Sequence, residues 1–333
     1  MASDDKSRKW KPKLLSWGLP LEFAVAKTLV ASGFSVHSDY SYHRVSDGKD
    51  VEFSVDIRAI RTATAPEGSQ RGCPFDLLIE CKHRTRSMAW LFAPDPSVHS
   101  TPSEFELVRG VEAFSPWFLT DSAWWTNSSW LPTCYKGVEI DLGSGHVEDA
   151  ELRRGLLQLQ FAISPLLRSR IEVPATSLGV IENTPLLFTC ILVTNVPLYV
   201  ATYDLSPALI ESSDELDNIA EEVPCLVVRV PAGRDFFQHS MRTFMGLEEV
   251  ATRKGIRAAE EHRKADGVHD WELPSAMARR LATAGDEIEA LVDVSNIFVC
   301  RMSYLDELLQ RLIVITDRVS QHAVLKRPEH LRV

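Results

Sequence analysis

The sequence predicts an α/β fold, with a mixed central β-sheet flanked by helices. Residues 50–60 alternate apolar and polar side chains, and residues 74–83 form an apolar run, so two strands are expected close together. A long helical pattern over about 147–170 follows, and strand patterns return at 188–203 and 224–230. Strands separated by helices in this way favour a mixed sheet with helices packed on its faces.

The first element expected is a helix over about 20–32. Pro20 suits the first turn of a helix and Gly33 suits its end. Between them, one buried face of the helix is predicted from the spacing of Leu21, Ala24, Val25, Thr28 and Leu29.

A β-hairpin is expected next. Residues 34–44 have the aromatic, alternating character of a strand, and Asp-Gly at 47–48 is a turn signal before the strand at 50–60. In that second strand Val55 and Ile57 belong to the apolar face, and Asp56 to the polar face. The strand should therefore be half-buried.

The apolar run at 74–83 ends abruptly in charged residues. Glu80 and Lys82 are two positions apart and therefore lie on the same face of a strand, with Cys81 between them. We expect this strand to be central and to end at a functional edge of the sheet.

Two segments differ from this core pattern. Residues 88–147 hold five of the eight tryptophans and many Pro, Ser and Gly, which predicts a Trp-rich insertion packed on the core. A polar helix is expected over 207–222, and beyond Gly233 the strand signals fade. The sequence thus predicts a first domain over 14–232 and a helical C-terminal region over 233–333. The helices expected in this region span 237–264, 274–293 and 302–320.

One of the C-terminal helices is apolar around much of its circumference, which predicts that it binds a second copy of the chain or another protein. The residues concerned are Leu305, Leu308, Leu309, Leu312, Ile313 and Ile315.

Composition and targeting signals narrow the class of protein. With 333 residues, 45% hydrophobic and 25% charged, the chain is not collagen-like, coiled-coil or wholly disordered. Its six cysteines form no C-x-x-C pair, so free thiols are expected rather than a zinc ribbon or a disulfide framework. The N-terminus lacks the apolar stretch of a signal peptide, and the longest apolar run, 186–201, is too short to span a bilayer. We expect a cytoplasmic protein with no membrane partner.

The charge distribution permits a nucleic-acid partner in spite of a net charge of −10. Residues 1–100 carry +2 and the remaining residues −12, and the segments 6–13 and 82–86 are locally basic. Clustered Lys and Arg bind phosphates, so Lys9, Lys11, Arg84 and Arg86 are candidate nucleic-acid contacts. The alternative is ordinary solvated surface charge.

Asp56, Glu80 and Lys82 suit metal-assisted hydrolysis of a phosphodiester bond. Two carboxylates on neighbouring strands can hold Mg²⁺, which keeps several waters and neutralises charge on a scissile phosphate. The lysine can orient or activate the attacking water. The backbone carbonyl of Cys81 is a natural additional ligand.

In these residues the chain resembles the PD-(D/E)XK nuclease superfamily, which has the restriction-endonuclease-like fold. The resemblance rests on a helix bearing Glu22, on the hairpin segment SVDIRA (54–59), and on LLIECKHR (77–84) with its E-x-K motif. It implies that Asp56, Glu80 and Lys82 are catalytic and that Mg²⁺ or Mn²⁺ is the metal. It further implies that Glu22 helps to hold metal or water, and that Gln158 on the later helix is a polar helper.

Two features depart from the family pattern. The 23 residues between Asp56 and Glu80 exceed a minimal hairpin, and the segment 88–147 separates E-x-K from the next core helix. Glu22 could instead favour the positive end of its helix, Gln158 could be an ordinary surface residue, and Arg84 and Arg86 could be merely exposed.

The resemblance implies an endonuclease acting on DNA, with RNA not excluded. Restriction, repair and antiviral defence are not separable at this level, because a fold does not fix a biological role. The alternative is a catalytically silent protein of nuclease fold that serves as a binding or scaffold module with a protein partner.

Overall fold

The computed structural model describes residues 10–46, 48–64, 72–96, 109–111, 131–176, 186–247, 249 and 294–325. These residues form a mixed β-sheet with helices on both faces, which confirms the predicted α/β class with a mixed central sheet. The strands are β1 Ser35–Ser46, β2 Lys49–Thr62, β3 Pro74–Lys82, β4 Met88–Pro94, β5 Arg109–Val111, β6 Thr133–Asp141, β7 Val147–Glu148, β8 Leu186–Thr194, β9 Leu198–Ala201, β10 Ala220–Val223, β11 Cys225–Pro231 and β12 Val294–Arg301. The α-helices are α1 Trp10–Ser16, α2 Leu19–Ala31, α3 Ala150–Thr176, α4 Pro207–Glu211, α5 Arg234–Phe244 and α6 Leu305–Leu325.

The strand order across the sheet is β1-β2-β3-β8-β12-β11-β6-β4-β9-β10, with β5 paired to β8 and β7 to β6. β1, β2 and β3 form an antiparallel meander, and β3 then runs parallel to β8, and β8 parallel to β12. All of β8 and nearly all of β3 are buried, as expected for parallel strands covered by helices on both sides.

Two hydrophobic cores lie on opposite faces of the sheet. Leu78 and Leu192 pack in the core beneath α3 and α5, whereas the adjacent Ile79 and Val193 pack in the core beneath α2 and α6. Successive side chains of a strand point to opposite faces, so this alternation builds a three-layer α/β/α arrangement.

The predicted first helix and hairpin are confirmed. Helix α2 buries Leu21, Val25 and Leu29, and Gly33 follows it with φ +84°, a left-handed conformation that costs glycine little. In the hairpin, Ser46 pairs with Lys49. The Asp of the predicted Asp-Gly turn lies outside the described residues.

The prediction of an insertion over 88–147 is wrong for the parts of that segment that the structure describes. Strands β4 and β6 belong to the sheet itself, between β11 and β9. Trp90 and Phe92 are fully buried in the core beneath α3. Their alternation along β4 is ordinary strand patterning, which the tryptophan and turn content of the segment conceals. Trp117, Trp124, Trp125 and Trp130 lie outside the described residues.

The C-terminal region over 233–333, predicted to be helical, also contains a strand. Helix α6 confirms the helix predicted over 302–320, α5 covers the beginning of the one predicted over 237–264, and 274–293 lies outside the described residues. Strand β12 lies between β8 and β11, so the described parts of both predicted domains share one sheet. In an apolar run of only eight residues, periodicity does not distinguish a buried strand from a buried helical segment. The polar helix expected over 207–222 is limited to α4, and the chain continues into β10.

The apolar face of α6 packs within its own chain. Leu305, Leu308, Leu309 and Leu312 are fully buried in the core that α6 shares with α2. This burial removes the reason for which the sequence predicts a partner on that face.

The free thiols predicted from the sequence are confirmed. All six cysteines are buried free thiols. No described helix combines the length and apolar character required to cross a bilayer.

Candidate active site

The site lies where strands β2 and β3 stop pairing. The last pair of their ladder is Ile57 with Ile79. Beyond it, side chains replace the backbone bonds: the Cys81 N–H donates to Asp56 Oδ2 at 2.7 Å, and the Asp56 N–H donates to Glu80 Oε2 at 3.4 Å. Both carboxylates therefore occupy the gap in which the strands diverge.

Lys82 completes the predicted trio. Its Nζ donates to Glu80 Oε1 at 2.7 Å and to Gln158 Oε1 at 3.2 Å. The Gln158 amide in turn donates from Nε2 to the Ser54 carbonyl at 3.1 Å, so this side chain of α3 links β3 to β2. The Tyr42 hydroxyl donates to the Gln158 carbonyl at 3.1 Å and fixes the backbone of α3 there.

Gly155 makes room for the lysine. A Cβ at this position of α3 would lie 3.0 Å from Lys82 Cε and 2.8 Å from Leu192 Cδ1. Glycine in the interior of a helix costs about 1 kcal/mol relative to alanine, so its presence here marks a close approach. The close contact allows the lysine to run beneath α3 towards Glu80.

Beside the site, side chains of equal parity in the β1–β2 hairpin switch from one face of the sheet to the other. In β1, Val36 packs on the α2 side of the sheet and Tyr42 in the core beneath α3, although positions of equal parity share a face in a regular strand. The irregularity falls at Asp39, which has φ +54°, and the β1–β2 register skips both Asp39 and Asp56. The left-handed residue therefore coincides with the position at which Asp56 leaves the ladder.

Burial dominates the electrostatics of the two carboxylates. It raises the pKa of Glu80 to about 7, with the nearby charge of Asp56 adding to the effect and Lys82 opposing it. Burial also raises the pKa of Asp56, which the hydrogen bond from Cys81 and the charge of Lys82 oppose. A single lysine thus compensates the acidic pair incompletely, and a cation at this point would be favoured.

The residues of the site fit a magnesium ion. Asp56 and Glu80 supply two carboxylates, and the Cys81 carbonyl points to the same edge of β3 as the Cys81 N–H that binds Asp56. Within the described ranges, no group of three or more His, Cys, Asp or Glu side chains could hold a metal. Mg²⁺ commonly uses one or two carboxylates together with waters and substrate phosphate, so two carboxylates and a carbonyl suffice.

Glu22 lies beside this pair in the first turn of α2. Burial raises the pKa of Glu22, and the charges of Asp56 and Asp39 raise it further. Its Oε1 lies 2.6 Å from the point at which a Cβ on Gly18 would stand, so the glycine admits the carboxylate. Glu22 therefore contributes charge near Asp56 without a hydrogen bond to it.

Arg84, which the sequence predicts as a phosphate contact, forms ion pairs within the chain. Its Nε donates to Glu139 Oε2 at 2.7 Å, and its Nη2 lies 3.5 Å from Glu151 Oε2. Glu139 is fully buried and also accepts the Leu152 N–H at 2.7 Å, which caps the start of α3. The Arg84 guanidinium thus neutralises a buried helix cap.

The other basic candidates are placed differently. Arg86 and Lys11 are exposed, and Lys11 Nζ lies 5.9 Å from the centroid of the Trp10 ring. Lys9 lies outside the described residues.

Two residues of the site, Asp39 and Gly155, are absent from the sequence-based candidates. Each left a signal in the sequence, because aspartate is disfavoured inside a strand and glycine inside a helix. The residues with which they make these close approaches depend on the tertiary structure.

Comparison of the chain with protein-family models, with curated proteins and with solved structures found no match.

Proposed function

We propose that this chain is a metal-dependent endonuclease of the PD-(D/E)XK type, which hydrolyses phosphodiester bonds of DNA. The observation that carries the proposal is the hydrogen bond of 2.7 Å between Lys82 Nζ and Glu80 Oε1, beside Asp56 at the point where two strands diverge. Two carboxylates and one lysine in that arrangement suit metal-assisted phosphoryl chemistry.

Each residue has a distinct part in the proposed reaction. Asp56, Glu80 and the Cys81 carbonyl are the groups that would hold Mg²⁺ or Mn²⁺. When bound, such an ion activates water and stabilises the charge that develops on the phosphate. Lys82, held by Glu80 and Gln158, positions the attacking water and offsets negative charge. Gln158 acts on the reaction through the lysine and is therefore a positioning residue.

A cleavage assay tests the proposal. Purified protein is incubated with supercoiled plasmid, linear duplex, single-stranded DNA and RNA, in Mg²⁺, in Mn²⁺ and in EDTA. Cleavage is expected only with a divalent metal, and Asp56→Asn and Lys82→Gln should abolish it. Asp50→Asn is the matched control, because Asp50 lies on the same strand but is exposed and forms an ion pair with the exposed His43.

The outcomes separate an enzyme from a scaffold. Cleavage that survives both substitutions, or that persists in EDTA, would contradict the mechanism. A wild-type chain that cleaves none of the substrates would favour the alternative, a nuclease-fold binding protein that works with a partner.

A further inference from the structure

The first two helices expose an unusual amount of apolar surface. Of the fifteen large apolar side chains that are exposed in the described part of the chain, six lie within residues 10–31. Three of them are aromatic: Trp10 is 56% exposed, Trp17 69% and Phe23 65%. The others are Leu14, Leu19 and Val30. On α2, Leu19, Phe23 and Val30 lie at helical spacing on a different face from the buried Leu21, Val25 and Leu29, and Trp17 lies in the link between the two helices. An exposed apolar patch of this kind marks a binding surface.

The cluster is also basic, in a chain whose net charge is −10. Helices α1 and α2 contain Lys11, Lys13 and Lys27 against the single acid Glu22. Two of these lysines accompany exposed rings: Lys11 Nζ lies 5.9 Å from the Trp10 ring centroid, and Lys27 Nζ lies 5.8 Å from that of Phe23. Rings with ammonium groups beside them match bases joined by phosphates.

This surface adjoins the candidate active site. The opposite face of α2 buries Leu21 and Val25 in one core with Ile57 and Cys81. Ile57 directly follows Asp56, and Cys81 lies between Glu80 and Lys82. The first turn of α2 also carries Glu22, which lies beside Asp56, so this end of the exposed face is the part that approaches the site.

We infer that the exposed aromatic and lysine face of α1 and α2 binds a single-stranded segment of nucleic acid, with bases stacked on Trp10, Trp17 and Phe23 and phosphates beside Lys11 and Lys27. Stacking on a ring requires an unpaired base, so this surface selects single-stranded over fully paired substrate. The inference rests on the proposed nuclease function and specifies the class of its substrate.

Fluorescence anisotropy with the full chain in EDTA tests the inference apart from cleavage. The probes are oligothymidylate and oligouridylate of about 20 nucleotides and a duplex of equal length. Single strands should bind more tightly than the duplex, and the DNA and RNA probes show which sugar is preferred. Trp17→Ala and Phe23→Ala should each raise Kd about tenfold. The matched control is Tyr135→Ala, an exposed aromatic residue beside a lysine on the distant strand β6, which should bind as the wild type does.

Salt dependence tests the lysines separately. For single strands, each phosphate contact contributes about 0.7 to the slope of log K against log salt concentration. Lys11→Ala combined with Lys27→Ala should therefore reduce that slope by about 1.4. The control Lys136→Ala should leave the slope unchanged.

The outcomes distinguish this inference from the proposed function. If the wild type binds single strands tightly, the ring variants lose this binding and no protein cleaves, the inferred binding surface is supported and the proposed nuclease function is contradicted. If the wild type cleaves but the ring variants bind nucleic acid as tightly as it does, the inferred binding surface is contradicted and the proposed nuclease function is not. A wild-type dimer that light scattering shows to dissociate in Trp17→Ala would make this face a contact between copies and overturn the inference.

Discussion

Asp39 and Asp56 are the two residues that the β1–β2 pairing skips, between the pairs Ser38–Ile57 and Tyr40–Val55, and Asp39 has a left-handed backbone with φ +54°. Among the residues that the structure describes, it is the one non-glycine residue with positive φ. At this point the side chains of the strand pair switch from the core on one face of the sheet to the core on the other. Asp56 no longer pairs with β3 there, and its carboxylate accepts the Cys81 N–H instead. The backbone of Asp39 and the position of the Asp56 carboxylate are therefore coupled.

Substitution of Asp39 separates its charge from its backbone. Asp39→Asn removes the charge but keeps a residue that tolerates the left-handed region, whereas Asp39→Val removes both. Asp39→Val should be about 1 to 2 kcal/mol less stable than Asp39→Asn in urea unfolding. Its cleavage activity should also be lower. Equal stability and activity in the two variants would show that the strained backbone has no part in the site.

Gly155→Ala should reduce both stability and activity. The added methyl would lie 2.8 Å from Leu192 Cδ1 and 3.0 Å from Lys82 Cε, which forces the lysine away from Glu80. Overpacking of this kind costs about 1 to 3 kcal/mol. Gly233→Ala is the control, because a Cβ there meets no atom within 4 Å and φ is −75°. A Gly155→Ala variant with wild-type cleavage would show that the position of Lys82 is not critical.

Arg84→Ala should act on stability rather than on binding of nucleic acid. The substitution leaves the buried carboxylate of Glu139 without its guanidinium partner, and loss of one member of a buried ion pair costs about 3 to 5 kcal/mol. Arg86→Ala, at an exposed position, should change the free energy of unfolding by less than about 0.5 kcal/mol. If Arg84→Ala unfolds like the wild type but lowers the salt dependence of DNA binding, then Arg84 contacts phosphate as the sequence predicts.

His239 should make the fold sensitive to acid. Burial lowers the pKa of His239 below its ordinary value of 6.5, and the neighbouring charges of Arg44 and Arg242 lower it further, against the hydrogen bond to the Phe161 carbonyl. Below pH 6.5 the unfolded chain therefore binds a proton more readily than the folded one, and stability falls as pH falls through the folded pKa. Urea unfolding of the wild type and of His239→Gln between neutral and acidic pH measures the difference. As pH falls, the free energy of unfolding of the wild type should decrease relative to that of His239→Gln. A difference between the two proteins that does not change with pH would contradict the prediction.

Magnesium should stabilise the folded chain. A ligand that binds only the native state adds about 2.7 kcal/mol at a free concentration of 100 Kd, so Tm should rise with Mg²⁺. Asp56→Asn should lose most of this rise, whereas Asp50→Asn should keep it. An equal rise in all three proteins would place the metal elsewhere.

Local patterns in the sequence determined the elements that surround the site. The apolar spacing of α2, the alternation of β2 and the apolar run of β3 depend on chain periodicity alone, and each element lies within a few residues of its predicted range. Strand parity likewise put Glu80 and Lys82 on one face, where the structure joins them at 2.7 Å.

Tertiary structure decided the rest, because strand pairing and ion pairing join residues that are distant in the chain. Strand β12 enters the middle of the sheet between β8 and β11, and β4 and β6 join it, although nothing local distinguishes them from other apolar runs. Arg84 is drawn to Glu139, 55 residues away, since a buried carboxylate requires a cation. The sequence by itself placed Glu80 and Lys82 on one face of a strand, and the long-range contacts determined which residues surround them and which, like Arg84, are held in ion pairs elsewhere.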